Sequence, residues 1–111
     1  MQRIALPTKD GFEFVSVDDI LYLQASGNYC IVTLKNKQSI HIYKLLKLLE
    51  TQLKSHGFIR IHHEYLININ HLNKYNKGDG GEVVMSDGKV LEVSRGKKKE
   101  FMIWVKGKID D

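Results

Sequence analysis

The amino-acid sequence predicts a mainly β domain, a stack of small antiparallel sheets with one central helix. Three observations carry that expectation. Six or more short runs rich in β-branched and aromatic residues recur along the chain, separated by glycine, asparagine, aspartate and serine. Only Leu45 to Lys54 spaces its leucines for a helix. No repeat or low-complexity tract interrupts the pattern, so one domain spanning residues 1–111 is expected.

The elements follow in order. Phe12-Glu13-Phe14 alternates before Val15-Ser16-Val17, which marks a strand with one buried face, because successive side chains leave a strand on opposite sides. Asp18-Asp19 interrupts, and Ile20-Leu21-Tyr22-Leu23 resumes an apolar run. Ser26-Gly27-Asn28 is turn chemistry, since glycine and asparagine accept the positive φ that other residues resist. Tyr29 to Leu34 and Ile40 to Tyr43 are strand-like and flank Lys35-Asn36-Lys37-Gln38, the pattern of a hairpin. Leu45, Leu46, Leu48, Leu49 and Leu53 form the helical stripe, and Gly57 stands where a left-handed C-terminal cap belongs.

Strand character returns in Phe58-Ile59-Arg60-Ile61-His62, where the isoleucines share one face and Arg60 and His62 the other, and again in Tyr65 to Ile69. Asn70-His71-Leu72 reads as a turn or a short 3₁₀ piece, and Gly78-Asp79-Gly80-Gly81 as a loop tip. Glu82 to Met85 and Val90 to Val93 flank Ser86-Asp87-Gly88, a hairpin signal. Phe101 to Val105 are contiguous apolar residues, so helix and strand both stay open for the tail.

Composition narrows the function. With 42% hydrophobic and 27% charged residues the chain is globular rather than disordered. A chain of this length buries roughly two-thirds of its unfolded surface and needs neither disulfide nor metal to hold a core. Cys30 is the only cysteine, which excludes an internal disulfide. The net charge of +4 favours a polyanionic partner, because lysine and arginine release counterions when they neutralise phosphates. No apolar run approaches a membrane span and no signal peptide is visible at the N-terminus, so the cytoplasm is the expected compartment.

Three polar clusters could carry chemistry. In Arg60-Ile61-His62-His63-Glu64 the chain must turn or bulge at His63-Glu64, which offers two imidazoles and a guanidinium to phosphates and base edges. Arg60 equally suits a structural ion pair, and His62 a hydrogen-bonded, half-buried structural role. Adjacent histidines on a strand point to opposite faces, and no spaced ligand motif occurs, so a metal needs the turn to redirect them. Val93-Ser94-Arg95-Gly96-Lys97-Lys98-Lys99 sets an arginine fit for bidentate contact to guanine beside three lysines fit for phosphates, or is a solvated charge run. The turn at Ser26-Gly27-Asn28-Tyr29 can meet a backbone or a base edge, or be plain turn chemistry. There is no phosphate-binding G-x-x-x-x-G-K-[ST] loop and no G-x-S-x-G elbow, and Cys30 lies in an apolar strand where a thiol is inert packing. Neither an enzyme nor a cofactor is expected.

Taken together, these segments resemble the LytTR family of DNA-binding domains found in bacterial response regulators. The resemblance runs from about residue 3 to 105 and rests on three stretches in order. They are Ile20-Leu21-Tyr22-Leu23-Gln24-Ala25-Ser26-Gly27-Asn28-Tyr29, the leucine helix leading into Phe58-Ile59-Arg60-Ile61-His62-His63-Glu64-Tyr65-Leu66-Ile67-Asn68, and the hairpin closing on Val93-Ser94-Arg95. It implies an elongated set of β-sheets that places loops, not a recognition helix, in successive major grooves. It further implies direct-repeat promoter sites bound by two domains that bend the DNA, and a receiver domain in the full-length protein. Matched residue by residue, base or nearby backbone contacts fall on Asn28 or Tyr29, on His63 and on Arg95. Arg60, Lys97, Lys98 and Lys99 complete the expected DNA-facing set. His63 stands where the family usually has arginine, lysine or asparagine, Glu64 where it has serine, and Gly96-Lys97-Lys98-Lys99 replaces the usual basic and aromatic residues. Two rival readings are a protein-interaction β-domain with a basic face and a metal-dependent hydrolase using His62, His63 and Glu64.

Overall fold

A computed structural model describes residues 2–109. The chain begins with a hairpin of β1 (Arg3–Thr8) and β2 (Gly11–Ser16). A five-stranded sheet follows, from β3 (Ile20–Ser26), β4 (Tyr29–Leu34), β5 (Ser39–Ile42), β6 (Phe58–His62) and β7 (Tyr65–Asn68), in the order β5-β4-β3-β7-β6. The third sheet holds β8 (Leu72–Asn76), β9 (Glu82–Met85) and β10 (Val90–Glu92), in the order β10-β9-β8. Every pairing is antiparallel. Helix α1 (Leu46–Leu53) links β5 to β6, and α2 (Arg95–Lys106) follows β10. The body measures 47 × 30 × 24 Å, the elongated stack that the sequence leads one to expect.

The central sheet is covered differently on its two faces, and the side-chain pattern of each strand shows it. One core packs Ile4, Leu6 and Val15 of the first hairpin and Leu46, Leu49 and Leu53 of α1 against Leu23, Val32, Ile40, Ile42, Phe58 and Leu66. The other packs Leu21, Tyr22, Ile61 and Ile67 against Val83, Met85 and Leu91 of the third sheet and Phe101 of α2. Strands β3 and β7 lie between both cores, so Ile20-Leu21-Tyr22-Leu23 and Leu66-Ile67 are buried without a break. Strands β4 and β5 have one covered face and keep strict alternation: Cys30, Val32, Leu34, Ile40 and Ile42 point in. Burial pushes the Cys30 thiol pKa upward, as suits an inert packing group.

Two polar ties brace the fold, the first within the central sheet and the second between it and the third sheet. Buried Asn68 donates from Nδ2 to the Ile20 carbonyl at 2.9 Å, while its Oδ1 accepts from the Asn70 amide at 3.0 Å. The Tyr22 hydroxyl donates to Asp87 at 2.8 Å, and burial with that carboxylate pushes its pKa up to about 12.

The structure departs from expectation in three places. The tail is a second helix rather than leaving one central helix: five adjacent apolar residues span more than a full turn, which hides the helical period. Strands β1 and β8 were not anticipated, because Pro7 and the polar Leu72-Asn73-Lys74-Tyr75-Asn76 carry little strand signal. Phe12 and Phe14 face outward, 69% and 61% exposed, and Val15 supplies the buried side of β2. Among the described residues no helix is long and apolar enough to cross a membrane.

Candidate nucleic-acid interface

Topology brings three loops to one end of the molecule. Strand β3 pairs with both β4 and β7, so the β3–β4 turn and the β6–β7 turn stand side by side. Their centres are about 10 Å apart, two strand spacings. The Ala25 amide donates to the Glu64 carbonyl at 2.9 Å and ties the two turns together. The Ser94 amide donates to the Ile61 carbonyl at 2.8 Å and ties the start of α2 to the end of β6. Tyr29, His63 and Arg95 are therefore linked through a continuous hydrogen-bonded end.

The first turn is Gly27-Asn28, with Ser26 paired to Tyr29. Gly27 takes a φ of 62°, as the first residue of a tight hairpin turn requires. Asn28 is exposed. Tyr29 stacks on His41 with ring centroids 5.3 Å apart and meets Tyr43 edge-on at 6.2 Å. His41 and Tyr43 escaped the sequence reading, since lone aromatics on a strand carry no motif.

The second turn is His63-Glu64, and it follows a register shift between Arg60 and His62. That bulge turns consecutive histidines to the same side, so their rings stack at 4.4 Å instead of pointing apart. His62 is nearly covered and its Nδ1 accepts the Glu64 amide at 3.1 Å, the structural role open to it from sequence. His63 is 81% exposed.

Arg60 is engaged within the protein. Its side chain is only 15% exposed, and its guanidinium turns inward. Nε donates to the His62 carbonyl at 2.8 Å, Nη2 donates to the His63 carbonyl, and Nη1 reaches Glu50 of α1 at 2.7 Å. The guanidinium fork thus holds both carbonyls of the turn and anchors them to the helix. Of the two roles open to Arg60, the structure takes the ion pair. Glu50 gave no signal in the sequence, being one of several polar residues on the outer face of an amphipathic helix.

The third loop is the start of α2. Arg95 is 82% exposed and meets the equally open Asp79 at 3.1 Å, a surface pair of small net worth that leaves the guanidinium free to change partner. Val93 donates to the Gly81 carbonyl at 2.9 Å, and Gly80 packs so tightly against the Val93 carbonyl that a Cβ would collide with it. Lys97 and Lys98 stand in the first turn of the helix and Lys99 follows at the start of the second, with no acidic residue in that turn and no side-chain cap from Ser94. Lys98 Nζ donates to the Gly78 carbonyl at 3.2 Å, and Lys99 is exposed. Cations at the positive end of a helix dipole repel the dipole and one another, and an external anion relieves both.

The fold defines a class: a mainly β DNA-binding domain built on three small antiparallel sheets. The chain matches the model of the LytTr DNA-binding domain over residues 10–106. It belongs to that family of DNA-binding domains. It is 28% identical over 104 residues to the sensory transduction protein LytT of Bacillus cereus, covering 91% of this chain and 42% of that protein. It is 26% identical over 87 residues to the CO-responsive transcriptional regulator RcoM of Rhodospirillum rubrum, covering 78% of this chain and 36% of that protein. The chain thus spans less than half the length of these relatives. A solved LytTr DNA-binding domain from a Bacillus cereus response regulator has the same fold, with a TM-score of 0.81 at 22% identity over 95% of this chain and 97% of the other.

Proposed function

We propose that residues 1–111 act as one promoter-reading unit that sets its three aligned loops into the major groove of duplex DNA. Asn28 or Tyr29, His63 and Arg95 meet bases or the adjoining backbone. Lys97, Lys98 and Lys99 meet phosphates and fix register without reading sequence. Arg60 makes no contact with DNA and instead holds the turn that presents His63. The reading is carried by one observation: three loops bearing amide, imidazole and guanidinium groups stand side by side, joined by the Ala25–Glu64 and Ser94–Ile61 hydrogen bonds. The start of α2, with Arg95, Lys97 and Lys98, no acidic residue and no side-chain cap, adds an electrostatic reason for a phosphate there.

Two such units occupy a direct repeat and bend it, in the cytoplasm and without catalysis of their own. A receiver domain controls them in the full-length regulator, in keeping with the greater length of the sensory transduction relative. Selection from a random duplex library at stated salt tests the reading. Enrichment of a repeated half-site, spaced by about one helical turn of roughly 10 base pairs, is expected. Recovery of unrelated sequences with equal affinity would overturn it.

A further inference from the structure

The His63-Glu64 turn holds more donor chemistry than base recognition needs. Among the described residues, His62, His63 and Glu64 each offer a ligand atom, and these atoms all lie within 4.8 Å of one another. We propose that this turn is a binding site for one borderline divalent transition ion of the Zn²⁺ class, held by the two imidazoles and the Glu64 carboxylate. The proposal deepens the DNA-binding reading, because His63 is also the group offered to the duplex.

Four features of the turn support it. The bulge before His62 places both rings on one side, 4.4 Å apart and 29° from parallel. His63 Nε2 already stands 3.7 Å from Glu64 Oε1, and a second carboxylate, Glu92, lies 3.9 Å from His62 Nε2. The nearest guanidinium does not repel a cation at full strength, because Glu50 neutralises Arg60 while Arg60 fixes the turn backbone. Finally, the exposed Glu64 carboxylate supplies negative charge beside the imidazoles in the DNA-free chain, where no phosphate competes for the cation.

Donor type sets the choice of ion. Two imidazole nitrogens and one carboxylate suit Zn²⁺, Co²⁺, Ni²⁺ or Cu²⁺, whereas Mg²⁺ prefers an all-oxygen shell. Ligand atoms around tetrahedral zinc stand about 3.3 Å apart, so the donors must close by up to about 1.5 Å. The exposed His63 and Glu64 side chains have room to do so. His62 gives up something to join them. Its Nδ1 now accepts the Glu64 amide, and ligation through Nε2 puts a proton on Nδ1 and ends that bond. Because the His63 imidazole cannot serve an ion and a base edge together, ion and duplex compete, and the coupling is reciprocal.

The test is calorimetric titration of the DNA-free chain with Zn²⁺, with Co²⁺ absorption as the spectroscopic check. One ion per chain is expected, with weakening of about tenfold or more in both His63→Ala and Glu64→Gln. His71→Ala, at a histidine whose ring meets the Asp18 carbonyl, should bind as the parent does, and Mg²⁺ should give no signal. Circular dichroism checks that each variant is folded. Absence of stoichiometric binding, or binding unchanged in both turn variants, would overturn the site. The titration repeated with the selected duplex separates the two readings. Weaker Zn²⁺ binding on DNA supports the shared imidazole. Unchanged binding leaves the ion site standing and removes His63 from the base contacts.

Discussion

The Gly27-Asn28 turn and the His63-Glu64 turn stand side by side on one sheet, and different forces shape them. The first is a local solution. A glycine with positive φ closes two strands whose register is already fixed by the Ser26–Tyr29 pairing. The second is a tertiary solution. Its bulge leaves two carbonyls facing inward, and a guanidinium from its own strand binds both while resting on a carboxylate from α1. A turn that holds one side chain in a fixed outward direction needs a brace, because a tight hairpin alone constrains backbone and not direction. The same comparison separates two arginines of equal charge. Arg60 is covered and committed; Arg95 is exposed and exchangeable.

Removing the brace should have the largest effect. Arg60→Met deletes three charge-assisted hydrogen bonds and leaves Glu50 and two carbonyls without their donor. A loss of about 3 kcal/mol is expected in urea unfolding, below the sum of three separate bonds because Glu50 is partly exposed and rehydrates. Arg60→Lys should recover little, since an ammonium cannot span both carbonyls and the carboxylate. Specific DNA affinity should fall with stability in both. Full stability in Arg60→Met would show that the turn needs no brace.

The exchangeable arginine should behave in the opposite way. Arg95→Ala is expected to leave stability within about 0.5 kcal/mol, since its ion pair with Asp79 is fully open to solvent. Binding to the selected site should weaken by about 1–3 kcal/mol, with base preference relaxed at one position. Equal weakening on every duplex would assign Arg95 to the phosphates and not to a base.

Much of this was legible in the residues because the signals are local. The leucine spacing of Leu46 to Leu53, the turn residues at Gly27-Asn28 and Asp87-Gly88, and the alternation of β4 and β5 each state a backbone conformation within a few positions. The loops expected to meet DNA were legible by motif, and the strand order then placed them side by side. What stayed hidden depends on a distant partner. The alternation at Phe12-Glu13-Phe14 does not say which face is buried, and the first core lies opposite Phe12 and Phe14, on the side of the hairpin where Ile4 and Leu6 also point. The helical period of α2 vanished because Phe101 to Val105 are apolar all round, although only Phe101 is fully buried. Arg60 could not be assigned from sequence because its partner Glu50 is ten positions away on another element.

The local turn is the next place to press. Gly27→Ala should cost about 1 kcal/mol or slightly more, all of it from the backbone, because a Cβ there meets nothing within 4 Å. The expected sign is loss of stability with little change in base preference beyond the first contact. A cost near zero would mean the β3–β4 turn reorganises freely, and the two turns would then differ less than their hydrogen bonds suggest.

The smallest effect belongs to the lysines of α2, and it should appear as a slope and not as a midpoint. Lys99 is exposed and has no ion-pair partner among the described residues, so Lys99→Ala should leave urea unfolding unchanged within about 0.5 kcal/mol. If its ammonium neutralises one phosphate, the plot of log affinity against log salt loses about one unit of slope on specific and random duplex alike. That uniformity is the contrast with Arg95, whose loss should discriminate among sequences. Replacing Lys97 and Lys99 together should remove about two units if both neutralise phosphates, since counterion release counts charges and not contacts to bases. An unchanged slope in the double variant would make Lys97 and Lys99 solvated surface and leave Arg95 and Lys98 as the cations of the α2 start that could meet the duplex.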